Sequence, residues 1–433
     1  MKNKKGFILS TYVYILLVFF LLLLGTMLAV LNNTRILSNK LKDQSSNTSG
    51  LINKDFSFVL LGDKETIIRK GEEYIDPGYK IQSSGGNDLS DIVKVTGSVN
   101  SDIIGMYELT YTATYNGITK TISRNVEVVG TAVEKIERLA TESNTEGLIT
   151  DDTVDHNIRY AGGSPKNYIK FNDENWRIIG IFNVTTVDET TGEEKPGKLM
   201  KIVKDTSIGE YSWDSSASSI NGGYGVNEWS QADLMTELNT LYLNQESGIC
   251  YNEEDNASTA CDFGTTGISN TYRSMIEEIV WNTGAITYKS SIDRSSAYTQ
   301  ERVSEIGADG AGTGKICTSG TYCNDTVTRT TEWTGKVGLI YPSDYGYAST
   351  SGTDIGNSAI GTTNWLKSGS SYWTISPSAD SGNSNNVWPV HSGVVDDIGA
   401  FNGIGVKPSV YLKSNVYIMG GNGNSTNPYR ISM

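Results

Sequence analysis

The chain has 433 residues, 37% of them hydrophobic and only 19% charged, with 46 glycines and a formal charge of -14. That length allows two or three domains, and the Gly/Ser/Thr/Asn/Tyr-rich mixture suits short strands joined by many turns. The acidity excludes polyanions such as nucleic acid as partners, the more so because the first 42 residues carry six Lys or Arg and no acid, which concentrates the negative charge in the remainder.

From Phe7 to Leu31 the chain reads FILSTYVYILLVFFLLLLGTMLAVL, without a charge, behind Lys2, Lys4 and Lys5. About 20 apolar residues in a helix cross a bilayer core, so residues 1–31 read as a cytoplasmic tip and a transmembrane helix, with the membrane as the partner of residues 7–31. The run is too long for the core of a secretory signal peptide and ends in Leu31-Asn32-Asn33 rather than at a small-residue cleavage site. Arg35, Lys40 and Lys42 balance the lysines ahead of the run, so charge alone leaves the orientation tied. The cysteines break the tie. Cys250 with Cys261 and Cys317 with Cys323 form two local pairs in Gly/Ser/Thr/Asn-rich loops without metal-ligating neighbours, and two disulfides imply an oxidising space. The expected orientation is N-terminus in, C-terminal domains outside the cell. The alternative is four ordinary thiols.

The leader MKNKKG followed by Phe7 resembles that of type IV prepilins, in which a peptidase cuts between glycine and phenylalanine. The resemblance implies cleavage after Gly6 and self-association through the N-terminal helix. It departs from the pattern at Thr11, where prepilins usually carry the glutamate that assists subunit assembly. Residues 32–54 lose hydrophobicity and end in a Gln/Ser/Asn/Thr/Gly run, read as a spacer.

Residues 55–130 change to short alternating strands. Phe56, Phe58 and Leu60 alternate, as do Tyr107, Leu109, Tyr111 and Ala113, and Asn116-Gly117 supplies a hairpin turn before Ile118. This pattern predicts an all-β sandwich. The segments GEEYIDPGYKI and DIVKVTGSVNSDIIGMYELTYTATYNGITKTISRNVEVV resemble the bacterial surface immunoglobulin-like domain. The resemblance implies a stalk module on a cell surface, with Tyr74, Asp76, Pro77 and Gly78 as turn and packing residues. In residues 131–150, Val133, Ile136, Leu139 and Ala140 recur at helical spacing and predict a linker helix.

Residues 151–433 open with strands at Tyr168–Phe171, WRIIGIF and LMKIV, the last two separated by an acidic hairpin excursion. Helices are predicted at Ser230–Gln245, with Asp233 at N3, and at Ser269–Thr283 along Tyr272, Ile276 and Ile279. Strands return in VGLIYPSDYGYA, YWTISPS, VWPVHSGVV and GVKPSVYLKSNVYI, which makes an α+β head domain. The set WRIIGIF, WSQADLMTELN, GLIYPSDYG, WTISP and GVKPSVYLKSNV resembles uncharacterised domains of exported proteins from Gram-positive bacteria. Those domains are in turn similar in pattern to the C-type-lectin-like fold of formylglycine-generating enzymes.

Chemistry finds little support. His156 and His391 lie in no nucleophile-elbow or metal-binding context, and the Arg-bearing surroundings of a formylglycine-type cysteine pair are missing around Cys317 and Cys323. Asp151, Asp152 and Asp155, or Asp396 and Asp397, miss the spacing of a calcium loop and read as solvated turns. Trp373 and Trp388 read as core, whereas Trp365 and Tyr372, flanking KSGSS, read as a binding surface. The expectation is a non-enzymatic surface protein, without metal or cofactor, that shows an adhesion head for a glycan or protein ligand on an immunoglobulin-like stalk. The alternatives are a pilin-like subunit and an exported enzyme of the formylglycine-generating type.

Overall fold

The computed structural model describes residues 17–18, 26, 55–142, 147–215, 224–253, 257–286, 291–302, 330–379 and 385–433. Among these, no helix is long and apolar enough to cross a membrane. The predicted span 7–31 lies outside them apart from Leu17, Val18 and Thr26, as do Gly6, Phe7, the spacer 32–54, Cys317 and Cys323. The N-terminal transmembrane helix is therefore not part of the observed fold. The described chain is mostly β-structure with a few short helices, and it divides into two compact units.

The first unit comprises residues up to 64 together with 76–97 and 109–124. Strand Phe56–Leu60 pairs antiparallel with Tyr79–Ser83, and Val93–Thr96 pairs antiparallel with residues 110–113. Alternation puts Phe56, Phe58, Ile81, Tyr111 and Ala113 inside, where Tyr79 meets Phe58 and Tyr111 edge-on or tilted at 5.7 and 5.4 Å. The Asp76-Pro77-Gly78 turn is held from two sides. The Tyr111 hydroxyl donates to Asp76 Oδ2 at 2.6 Å, and fully buried Arg124 donates to the carbonyls of Leu61 and Gly78. Asn116 and Gly117 both take positive φ, 50° and 81°, as a type I′ hairpin turn requires.

The second unit contains residues 65–75, 98–108 and 125–433. Its strand Glu65–Arg69 pairs in parallel with Asn125–Val129, burying Ile68, Val126 and Val128. A helix, Ala132–Thr141, follows; Thr131 and Glu134 close a reciprocal capping box at its start, and Ile136 is buried.

The head is organised on an eleven-stranded sheet. Its spine is the hairpin of Glu174–Val187 and Glu194–Lys204, paired from Trp176–Lys204 to Val187–Glu194. Ser409–Leu412 extends the sheet beyond the second arm, while Tyr168–Phe171, Tyr429–Ser432 and Tyr417–Gly420 extend it beyond the first. Past a bulge between Ile178 and Gly180, Ile158–Tyr160 pairs antiparallel with the first arm of the spine. A Cβ on Gly180 would lie 2.1 Å from the Ile158 carbonyl oxygen, so only glycine permits the approach.

The α+β expectation for the head is corrected by its helices. Ser269–Thr283 keeps a single turn, Asn270–Arg273, and then becomes strand Ile279–Asn282 paired with Glu332–Gly335. Ile279 fits both a 3.6 and a 2 period; sheet pairing, which buries Ile279 and Trp281 together, decides for the strand. Within Ser230–Gln245 the helical part is an α-turn at Asp233–Thr236 continued as a π-turn at Glu237–Tyr242, and Ala232 rather than Ser230 stands at the N-cap. Conversely, the predicted strand through GLIYPSDYG breaks after Gly338 into a helix, Pro342–Tyr347, with proline in its first turn and Asp344 Oδ2 accepting the amide of Tyr341 at 3.0 Å.

Candidate functional site

A cleft of about 340 Å³ opens beside the sheet of the head. Asn183 and Thr185 come from the first arm of the spine, Asn282 from the end of its strand, Tyr411 from Ser409–Leu412, and Arg302 from the C-terminal end of helix Arg294–Glu301. Tyr341, Asp155 and Glu332 complete the polar lining.

Behind the cleft lies a buried ionic network. Arg159 Nε reaches Asp151 Oδ2 at 2.6 Å and its Nη1 reaches Asp344 Oδ1 at 2.7 Å; Lys201 Nζ reaches Asp344 Oδ2 at 2.7 Å. All four side chains are nearly inaccessible, so each charge depends on the others. Burial opposes ionisation of Asp344 and Asp151, but Lys201 and Arg159 for the first, and Arg159 for the second, outweigh it and hold both carboxyls below their ordinary range. Burial also pushes the Lys201 amine down to about 8 against the pull of Asp344. The Lys201 ammonium sits 4.0 Å from the ring centre of Tyr341 and 5.2 Å from that of Trp281. This network is scaffold: it fixes Tyr341 and the helix that follows it.

Arg302 stands at the cleft, its side chain 21% exposed. Nη1 pairs with Glu301 at 3.0 Å and donates to the Tyr298 carbonyl at 3.2 Å, and the guanidinium carbon stands 3.4 Å from the Tyr298 ring centre. Partial desolvation works against its charge, but Tyr298 and Glu301 overcome it and raise its pKa. Burial raises the Glu301 carboxyl to about 6, while Arg302 and the Ser343 hydroxyl and amide pull it back. The guanidinium is thus clamped along one edge. Its Nε and Nη2, the Tyr411 hydroxyl, the Thr185 hydroxyl and the Asn282 side-chain amide have no hydrogen-bond partner among the described residues, whereas the Asn282 backbone amide donates to the Tyr341 hydroxyl at 3.0 Å. Asp155 accepts the Tyr298 hydroxyl on Oδ2. Several unengaged donors and acceptors thus converge on one concavity, the hallmark of a small-molecule site.

The expected surface pair is placed elsewhere. Trp365 is only 7% exposed and donates its Nε1 to the Tyr160 carbonyl at 2.7 Å beneath the Arg177 guanidinium. Tyr372 is 1% exposed and donates to the Leu366 carbonyl at 2.6 Å. Each polar tip finds a backbone acceptor inside, which lets the ring join the core; the reading of both as surface is corrected. Trp373 and Trp388 are buried as well. Cys250 and Cys261 form a disulfide across the hairpin of Ser247–Glu253 and Ala257–Asp262. His391 Nδ1 meets Ser371 Oγ at 2.8 Å, with no carboxylate bonded to the ring among the described residues. Asp151 belongs to the buried ionic network rather than to a solvated turn, whereas Asp152 and Asp396 are exposed; Asp152 accepts from Tyr347, and half-buried Asp397 accepts from Asn386 at 2.8 Å.

A second acidic cluster packs behind the disulfide hairpin. Asp214 accepts the amides of Val226 at 2.7 Å and Asp233 at 3.2 Å, and Glu237 Oε1 accepts the amide of Tyr251 at 3.0 Å. Burial pushes Asp214 up to about 7 and Glu237 up to about 8, with the Asp233 charge adding to both. Backbone amides take these oxygens, so the cluster anchors loops.

Residues 58–128 match the family model of the bacterial surface protein Ig-like domain. No curated protein matches the chain. Among solved structures, a lipoprotein from Bacteroides thetaiotaomicron aligns at 16% identity over 53% of this chain and 92% of its own, with a TM-score of 0.17. The CBM51-2 and INT domains from Clostridium perfringens ZmpB align at 14% identity over 35% of this chain and 30% of theirs, with a TM-score of 0.14. Overlaps this low carry no argument about the head. The family match supports a bacterial surface protein with an Ig-like domain.

Proposed function

We propose that this surface protein recognises a ligand with its head, without turnover, and that the Arg302–Tyr411 cleft is the place of contact. The observation that carries the reading is the convergence of the Arg302 edge, the Tyr411 and Thr185 hydroxyls and the Asn282 side-chain amide on one concavity, each without a described partner. Binding rather than chemistry is favoured because two of the carboxylates at the cleft are already engaged: Glu301 by Ser343 and Arg302, Asp155 by Tyr298. The immunoglobulin-like domain serves as the stalk.

The test is an array of glycans and peptides probed with the full chain and with its Arg302→Ala and Tyr411→Phe variants. Capture that both variants lose supports the cleft. Capture that both retain removes it as the site.

A further inference from the structure

Resting on the reading of the cleft as a binding site, we propose that its ligand class is a neutral sugar residue. The lining offers donors and acceptors in mixture. Arg302 donates only, Asp155 and Glu332 accept only, and Asn282, Thr185 and Tyr411 do both. A sugar hydroxyl likewise both donates and accepts, so a ring of vicinal hydroxyls satisfies such a mixture, whereas a carboxylate or phosphate satisfies donors alone.

Charge selects in the same direction. The lining holds one guanidinium and two carboxylates, and Glu301 already neutralises the guanidinium at 3.0 Å. With the chain at -14 overall, an anionic ligand meets net repulsion both at the site and on approach. A quaternary cation would need open aromatic faces. Those of the lining tyrosines are taken: Lys201 stands over Tyr341 and Tyr411 at 4.0 and 5.5 Å, and Arg302 lies 5.0 Å from the Tyr341 ring centre.

About 340 Å³ lies at the low end of small-molecule sites, enough for a terminal sugar and too short for a peptide strand. Arg302 is preorganised for this task, since Nη1 is tied to Glu301 and to the Tyr298 carbonyl before any ligand arrives.

The experiment uses the full-length protein with glucose, galactose, N-acetylglucosamine, glucuronate and a short neutral peptide as probes. Saturation-transfer NMR detects contact and calorimetric titration ranks affinity. The expected result is binding of at least one neutral sugar, with glucuronate weaker than the matching hexose. Arg302→Ala should weaken it about 10-fold or more, since hydrogen bonds from a charged donor are the strong ones, and Tyr411→Phe, which keeps the ring, by about 3- to 10-fold. Unchanged circular dichroism in Tyr411→Phe separates lost contact from lost fold. Glucuronate binding as tightly as glucose, or the peptide alone binding, would overturn the sugar class; if Arg302→Ala abolishes that binding, the cleft survives as the site. Sugar binding indifferent to both variants would overturn the cleft itself. Silence from all three neutral sugars at millimolar concentration would refute the proposal.

Discussion

Glu237 offers a sharp test of the head's electrostatics. Its side chain is 4% exposed, Oε1 accepts the Tyr251 amide at 3.0 Å, and Oε2 meets no partner among the described residues. Burial, helped by the Asp233 charge, raises its pKa from 4.5 to about 8. The folded state therefore holds a proton that the unfolded chain releases near 4.5. Stability from this group is fully present below that value and is lost as the pH climbs through about 8. One pKa unit corresponds to about 1.4 kcal/mol, so the loss reaches about 3 kcal/mol at pH 7 and about 5 kcal/mol above pH 8. Glu237→Gln keeps an acceptor for Tyr251 and removes the ionisation. The variant should match the wild type near pH 4 and exceed it by about 3 kcal/mol at pH 7, each kcal/mol moving the melting midpoint by about 2 to 4 °C. Melting curves of both proteins between pH 4 and 9 measure the difference; Asp214 leaves its own pH dependence in each. A constant difference across that range would show that Glu237 is ionised in the folded state and that the burial argument fails.

Three further outcomes follow from packing. Arg159→Met strands Asp151 and Asp344 without their shared cation and should cost about 3 to 5 kcal/mol in urea unfolding, since half a buried pair is worse than none. Gly180→Ala drives a Cβ to 2.1 Å from the Ile158 carbonyl and should cost about 3 kcal/mol or more, read as a fall in the melting midpoint. Replacing Cys250 and Cys261 together by serine opens a loop of 11 residues' separation and should cost about 2 to 3 kcal/mol; a reductant should lower the wild-type midpoint and leave that effect absent in the variant.

Where periodicity and turn chemistry spoke with one voice, the fold was legible. WRIIGIF sits in a strand buried on both faces, and Asn116-Gly117 turns a hairpin, because both are decided by residues within a few positions. Legibility failed where long-range pairing chose between local options. Ile279 could serve a helix or a strand until Glu332–Gly335 came alongside, and Tyr341 preceded a helix because buried Asp344 capped it. The site was hidden for the same reason. Arg302 follows an unremarkable glutamine-glutamate pair at a helix end, Tyr411 lies inside a strand, and only tertiary packing brings them to one cleft. Trp365 misled in the opposite direction: beside KSGSS it reads as surface, yet its indole proton has a buried acceptor in Tyr160.

The parallel pairing of Glu65–Arg69 with Asn125–Val129 has a mechanical meaning. Tension entering the chain ahead of Glu65 and leaving beyond Val129 slides these two strands along their length. The pairs from Glu65 with Asn125 to Arg69 with Val129 then bear load side by side and must yield together. An antiparallel ribbon pulled from one end would unzip a bond at a time. A chain connected this way resists stretching as a shear clamp, holding its length under load until the whole patch gives way.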